Sequence, residues 1–174
     1  MKKLEEYVRS IPDFPEPGIV FRDITTVLQD GDGLQLSIDS IQELLKDTEF
    51  ELVVGPESRG FIFGVPIAYI NKKGFVPVRK KGKLPCETIS QEYDLEYGSA
   101  VLEIHKDAIK PGQRVVIVDD LIATGGTTEA IIKLVEKLGG EVVKIVFLME
   151  LAGLEGRKKL ACYDVEAALR YEGK

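Results

Sequence analysis

The chain has 174 residues, enough for one domain with a buried core and too few for two ordinary ones. Apolar residues at 44% and charged residues at 30% exclude a fibrous or disordered chain. Lys and Arg total 23 against 29 Asp and Glu, a net charge of −6, which argues against a dedicated nucleic-acid binder with its basic face.

Short β-branched runs alternate with amphipathic stretches, the pattern of an α/β domain. Phe50–Val54 reads as a strand, followed by the turn Gly55-Pro56-Glu57-Ser58-Arg59-Gly60 and an apolar helix to about Ile70. Asn71-Lys72-Lys73-Gly74 closes that helix, with Gly74 expected at its left-handed end. Phe75–Arg79 is the next strand. The polar, glycine-bounded stretch from Lys80 to Gly98 is too long for an ordinary connection and is expected to act as a lid. A Pro111-Gly112 turn leads into the strand Arg114–Val118. Ile131, Leu134, Val135 and Leu138 then recur at helical spacing, Gly139-Gly140 ends the helix, and Val142–Leu148 is another buried strand. Continuous apolar strands joined by helices predict a mostly parallel sheet covered on both faces. Ligands of such sheets bind beyond the carboxyl ends of the strands, in the loops that start at Gly55, Arg79 and Asp119.

Cys86 and Cys162 are far apart in sequence, and with the single His105 they form no zinc-site or disulfide pattern. Met1-Lys2-Lys3 leads into Leu4-Glu5-Glu6-Tyr7, not into the apolar core of a secretion signal. The charge-free run Gly60–Ile70 falls short of the ~20 residues that span a bilayer. A cytoplasmic protein with no nucleic-acid or membrane partner is expected.

The informative segment is Val115-Val116-Ile117-Val118-Asp119-Asp120-Leu121-Ile122-Ala123-Thr124-Gly125-Gly126-Thr127-Thr128. A hydrophobic strand delivers two carboxylates to the ligand edge, six loop residues follow, and a helix begins near Thr127 or Thr128. Gly125 and Gly126 let the backbone curl so that N–H groups point inward in front of a helix N-terminus, a phosphate cradle. Thr124, Thr127 and Thr128 add hydroxyl donors. Acids beside a phosphate site repel it unless they serve another part of the ligand, so a sugar phosphate is the economical ligand, with Asp119 and Asp120 accepting from ribose hydroxyls. Other nucleotide motifs fail. Phe61 stands where a P-loop needs lysine, and Gly31-Asp32-Gly33 lacks the third glycine of a dinucleotide fingerprint.

The Asp119–Thr127 segment resembles the phosphoribosyl pyrophosphate (PRPP) loop of type I phosphoribosyltransferases. More narrowly, Phe14-Pro15-Glu16-Pro17-Gly18-Ile19-Val20-Phe21-Arg22-Asp23-Ile24 is similar to the N-terminal signature of the adenine-specific branch of that family. Glu57-Ser58-Arg59-Gly60-Phe61, Arg79-Lys80-Lys81-Gly82-Lys83-Leu84-Pro85 and Leu95-Glu96-Tyr97-Gly98 match further segments in order, with Cys86-Glu87 as a small departure. The resemblance implies one domain over residues 1–174, with a small hood over about 1–35 and a flexible catalytic loop over about 80–98. It also implies a homodimer that converts adenine and PRPP to AMP and pyrophosphate, with magnesium held mainly by ligand oxygens and by no dedicated protein ligands.

Carried over residue by residue, Asp119, Asp120, Ala123, Thr124, Gly125, Gly126 and Thr127 bind the ribose and 5′-phosphate. Arg59 meets the pyrophosphate and assists catalysis. Arg79 and Lys83 reach the same group, within one subunit or across a dimer interface; Lys80 and Lys81 have a solvated charge run as their alternative reading. Val20, Phe21 and Arg22 surround the purine, with Phe21 stacking on it, although Arg22 also reads as a surface partner of Asp23. Met149-Glu150-Leu151 is a candidate lining of the base pocket. Transferases for 6-oxopurines carry an aspartate two places before the loop's first glycine; here that place is Ala123. Proton handling then falls to Glu96, with Tyr97 covering the ribose, and His105 reads as structural. A purine-sensing regulator would need a DNA-binding extension, and a receiver domain would not need the threonine-glycine cradle.

Overall fold

The structure, a computed structural model, describes residues 2–94 and 98–173. In chain order it contains β1 (Arg9–Pro12), β2 (Val20–Asp23), α1 (Thr25–Leu28), α2 (Gly31–Leu44), β3 (Leu52–Pro56), α3 (Arg59–Ile70) and β4 (Gly74–Lys80). There follow β5 (Thr88–Asp94), β6 (Ser99–His105), β7 (Arg114–Ile122), α4 (Gly126–Lys137), β8 (Glu141–Leu151) and β9 (Val165–Tyr171). Short 3-10 turns lie at Leu4–Tyr7, Ala152–Leu154 and Gly156–Leu160.

Among the described residues the main sheet has seven strands in the order β5-β6-β4-β3-β7-β8-β9. The neighbours from β4 to β9 pair in parallel, and β6 and β5 add an antiparallel arm at the β4 edge. Alternate side chains of the central strands feed two cores, as the two-residue period of a strand requires. Val54, Val115, Ile117, Ile145 and Phe147 pack with Ile131, Leu134 and Val135 of α4. Val53, Val116, Val118, Val146 and Leu148 pack on the other face with Ile41 of α2 and Phe63 and Ile67 of α3.

The chain order creates the ligand site. The crossover through α3 carries β3 to β4 on one side, and that through α4 carries β7 to β8 on the other. Between β3 and β7 the winding reverses, and such switch points open a crevice at the carboxyl ends of the strands. The register sharpens it: β3 and β7 remain paired only to Val54 opposite Ile117. Beyond that point β3 turns away into α3, whereas β7 continues beside β8 to Ile122 opposite Glu150.

Three local expectations are revised. Asp119 and Asp120 are not followed by six loop residues, because pairing with β8 holds the chain extended through Ile122 and only Ala123–Gly125 separate strand from helix. Gly74 does not end α3. Lys72 takes the left-handed place at φ 54°, with Lys73 N–H donating to the Ala68 carbonyl at 2.8 Å and Lys72 N–H to that of Tyr69 at 3.1 Å. Gly74 instead opens β4 opposite Leu52, where a Cβ would lie 3.1 Å from Leu52 Cδ1. Within the expected 80–98 loop, Thr88–Asp94 is a strand paired along its length with β6. Its alternation explains this: Ile89 and Tyr93 pack on the core beneath α4, and Lys137 Nζ donates to Gln91 Oε1 at 2.8 Å.

The segment expected to form a hood contains a separate antiparallel ribbon, β1 with β2, from Arg9 opposite Asp23 to Pro12 opposite Val20. Helix α2 starts at Gly31 and packs on β8 and β9, so the body of the domain begins before residue 35.

Candidate active site

A cavity of about 250 Å³ occupies the switch point between β3 and β7. Its walls are the turn from Pro56 to Arg59 on one side and the run from Asp119 to Thr128 on the other. The cavity thus gathers Arg59, Asp119, Asp120, Ala123, Thr124, Gly125, Gly126 and Thr127, residues 60 or more positions apart in part, because β3 and β7 are neighbours.

The glycine-threonine side of the cavity follows from backbone chemistry. Gly125 stands at φ 78°, a left-handed conformation that L side chains rarely adopt, and serves as the cap of α4. The helix begins at once, with Glu129 N–H donating to the Gly125 carbonyl at 2.9 Å. The N–H groups of the first turn have no preceding helical carbonyl to bond and face the cavity end of the dipole. Thr124 is exposed, Thr127 half-buried and Thr128 buried, so the three hydroxyls sit at different depths.

The two acids behave differently. Asp119 is buried, and its Oδ1 accepts the Asp120 N–H at 2.8 Å. Burial, reinforced by the neighbouring Asp120 charge, pushes its carboxyl well above the ordinary range. Asp120 faces the cavity and pairs with Arg59, Nε to Oδ2 at 2.9 Å. Arg59, the first residue of α3, is half-exposed and so bridges the two cavity walls.

Arg79 and Lys83 do not line this cavity. Arg79 reaches it through Glu57, Nε to Oε1 at 3.3 Å, and also donates to the Lys83 carbonyl at 3.3 Å. Glu57 further accepts the Lys80 N–H at 2.7 Å, so it ties the start of the basic segment to the cavity wall. Glu57 carries no role in the sequence reading; a lone acid in a turn gives no signal until its partners, more than 20 residues away, are known.

Val20, Phe21 and Arg22 lie on β2, half-buried and outside the cavity wall. Phe21 packs edge-on against Phe14 with centroids 5.4 Å apart. Arg22 does not pair with Asp23. Its guanidinium lies 4.1 Å from the Tyr171 ring centroid and donates to Ser10 Oγ, which fastens the hood to β9. Asp23 instead accepts Thr25 N–H at 2.9 Å and pairs with Arg9 at 3.3 Å. Those Thr25 hydrogen bonds lower its pKa, and the charges of Arg9 and Arg59 add to the effect.

His105 donates from Nε2 to the Pro85 carbonyl at 2.7 Å, a loop-holding role. Glu150, at the end of β8, is buried against Arg157. Glu96 and Tyr97 lie outside the described residues. Among the described residues no cluster of three or more His, Cys, Asp and Glu side chains is grouped to hold a metal.

A phosphate cradle, paired acids and an arginine at the switch point of a doubly covered sheet define a phosphoribosyltransferase domain. Residues 24–169 match the family described as the phosphoribosyl transferase domain. The adenine phosphoribosyltransferase of Lachnoclostridium phytofermentans is 71% identical over all 174 residues, covering 100% of both chains. The crystal structure of adenine phosphoribosyltransferase from Thermoanaerobacter pseudethanolicus superposes with a TM-score of 0.93 at 56% identity, covering 97% of this chain and 100% of that one. The Saccharomyces cerevisiae enzyme, complexed with an imino-altritol bisphosphate and adenine, gives 0.89 at 42% identity, with 95% and 96% covered. The chain belongs to the adenine phosphoribosyltransferase family.

Proposed function

We propose that the protein transfers the 5-phosphoribosyl group of PRPP to adenine, forming AMP and pyrophosphate in purine salvage. The observation that carries this reading is the meeting of the Gly125–Thr127 cradle with Asp120 and Arg59 in one cavity. The cradle takes the 5′-phosphate, Asp119 and Asp120 accept from ribose hydroxyls, and Arg59 faces the pyrophosphate. The bond from C1′ to the pyrophosphate oxygen breaks as N9 of adenine bonds to C1′. Positive charge develops on the ribose and negative charge on the leaving group, so positioning and fixed charges supply most of the catalysis.

Glu96 is assigned the proton at the imidazole edge, with Tyr97 covering the ribose, and the Val20–Arg22 segment is assigned the purine. Magnesium fits the donor set only as a partner of PRPP. Asp120 is engaged by Arg59 and Asp119 by a backbone N–H, which leaves ligand oxygens and water as the main coordination. When bound it would neutralise pyrophosphate charge, and Asp119 and Asp120, which line the cavity, are the residues that would support it. The protein is further proposed to act as a homodimer, in which Arg79 and Lys83 reach the pyrophosphate. No described helix is long and apolar enough to cross a membrane, and exposed free Cys86 and Cys162 suit a reducing cytoplasm.

The test is pyrophosphate release with adenine, hypoxanthine and guanine. Because Ala123 supplies no carboxylate to a 6-oxopurine, adenine is expected to be favoured at least ~100-fold in kcat/KM, or ~2.7 kcal/mol. Comparable use of hypoxanthine refutes the assignment.

A further inference from the structure

The phosphate loop is braced from behind by a segment that none of the preceding roles includes. β7 and β8 end side by side, Ile122 opposite Glu150. From those ends one chain runs into the loop and the other into the 3-10 turn Gly156–Leu160. The turn then folds back onto the loop. A Cβ on Gly156 would stand 3.0 Å from the Gly125 nitrogen and 2.9 Å from Ile122 Cγ1, and closer still to the Ala123 carbonyl oxygen. Reciprocally, a Cβ on Gly125 would stand 2.7 Å from the Gly156 carbonyl oxygen. Two backbones therefore touch where neither can carry a side chain.

What holds them there is an ion pair. Arg157 Nε lies 2.8 Å from both oxygens of Glu150, whose side chain is only 6% exposed. The same guanidinium donates to the Val165 carbonyl of β9, and Leu160, 1% exposed, plugs the far end of the turn into the core. Hydrogen bonds to a phosphate work over only a few tenths of an ångström. A wall pressed on the Ala123 and Gly125 backbone thus controls whether the loop's N–H groups converge.

We propose that Gly156, anchored through Arg157 to Glu150, is a positioning residue for the 5′-phosphate loop. The inference rests on the reading that this loop holds the 5′-phosphate of PRPP and AMP. Calorimetric titration with AMP, together with steady-state kinetics, tests it. Gly156→Ala is expected to raise the AMP Kd and the PRPP KM at least ~10-fold, with adenine KM within ~2-fold and kcat at saturating PRPP within ~3-fold. Parallel losses in every parameter, tracking a lowered Tm, overturn it, as does an AMP Kd within ~2-fold of wild type. If Gly156→Ala does not fold, Arg157→Ala decides, since it removes the anchor without adding bulk. A ~3- to 10-fold weaker AMP complex, partly restored by Arg157→Lys, supports the proposal, and an unchanged Kd overturns it. Failure of wild type to bind AMP overturns the phosphate assignment as well, which separates the two readings.

Discussion

At the scale of the residue, Asp119 is the most perturbed group in the site. Its carboxyl is buried beside Asp120, and its folded pKa lies above the ordinary value of about 3.9. The sign follows directly. Below the ordinary value the group is protonated in both states and costs nothing; above the raised value the fold carries a buried charge that the unfolded chain does not. Stability linked to Asp119 is therefore complete at low pH and lost as pH rises through the folded pKa. Asp119→Asn keeps the oxygen that accepts the Asp120 N–H and removes the charge. It is expected to raise Tm at pH 7, with the gain shrinking as pH falls towards 4, which scanning calorimetry across that range measures. A gain independent of pH would contradict the burial argument. Asp120 is equally buried and differs in its partner, the Arg59 guanidinium at 2.9 Å.

At the scale of the element, residues 88–94 of the expected 80–98 lid form the outer strand of the β5–β6 arm. The arm is anchored at α4 by Lys137 and by Tyr93, and Gly126 at the start of α4 faces the Asp94 carbonyl, 3.5 Å from where a Cβ would be. The strand therefore delivers the chain to the start of α4, at the rim of the Ala123–Gly126 loop, before residue 95. The connection 81–87 ahead of it is mostly exposed and contains Lys81 and Lys83. Trypsin is expected to cut there in the free protein, with PRPP and magnesium slowing cleavage at least ~10-fold if ligand closes this connection over the site. Mass spectrometry of the fragments locates the cuts, and equal rates in both states would make the connection a bystander.

At the scale of the whole molecule, the outer surface of α3 argues for a partner. Tyr69 is 84% exposed, Val65 49% and Ile70 47%, beside Pro66 and close to Leu34 and Ile38 of α2. A grouped apolar surface of this kind marks an interface more often than open solvent. The same helix begins with Arg59, so a second copy seated here would sit on the element that carries the Asp120-paired arginine of the cavity. In the proposed homodimer, Tyr69→Asp places a charge in an apolar contact. It is expected to raise the dimer dissociation constant at least ~10-fold, about 1.4 kcal/mol, in sedimentation velocity. An unchanged dimer would move the interface to another face.

Much of this architecture is legible along the chain because its causes are local. The Ile131–Leu138 stripe, the Gly139-Gly140 stop and the apolar runs of β3, β7 and β8 depend on neighbours within a few residues. The Asp119–Thr128 cavity wall is legible for the same reason, since its glycines, threonines and acids are contiguous. Other features were settled only when distant segments met. The extension of β7 through Ile122 requires β8 beside it, and the strand Thr88–Asp94 requires β6 and α4. Arg22 reads as a partner of Asp23 by proximity, yet its guanidinium packs on Tyr171 at the end of β9, nearly 150 positions away. Periodicity and composition identify what each segment prefers by itself. The Arg59–Asp120 bridge, the Glu57 tie and the Gly125–Gly156 contact depend on sheet order and strand register, which bring backbone and charge together across many residues and which no single window of sequence contains.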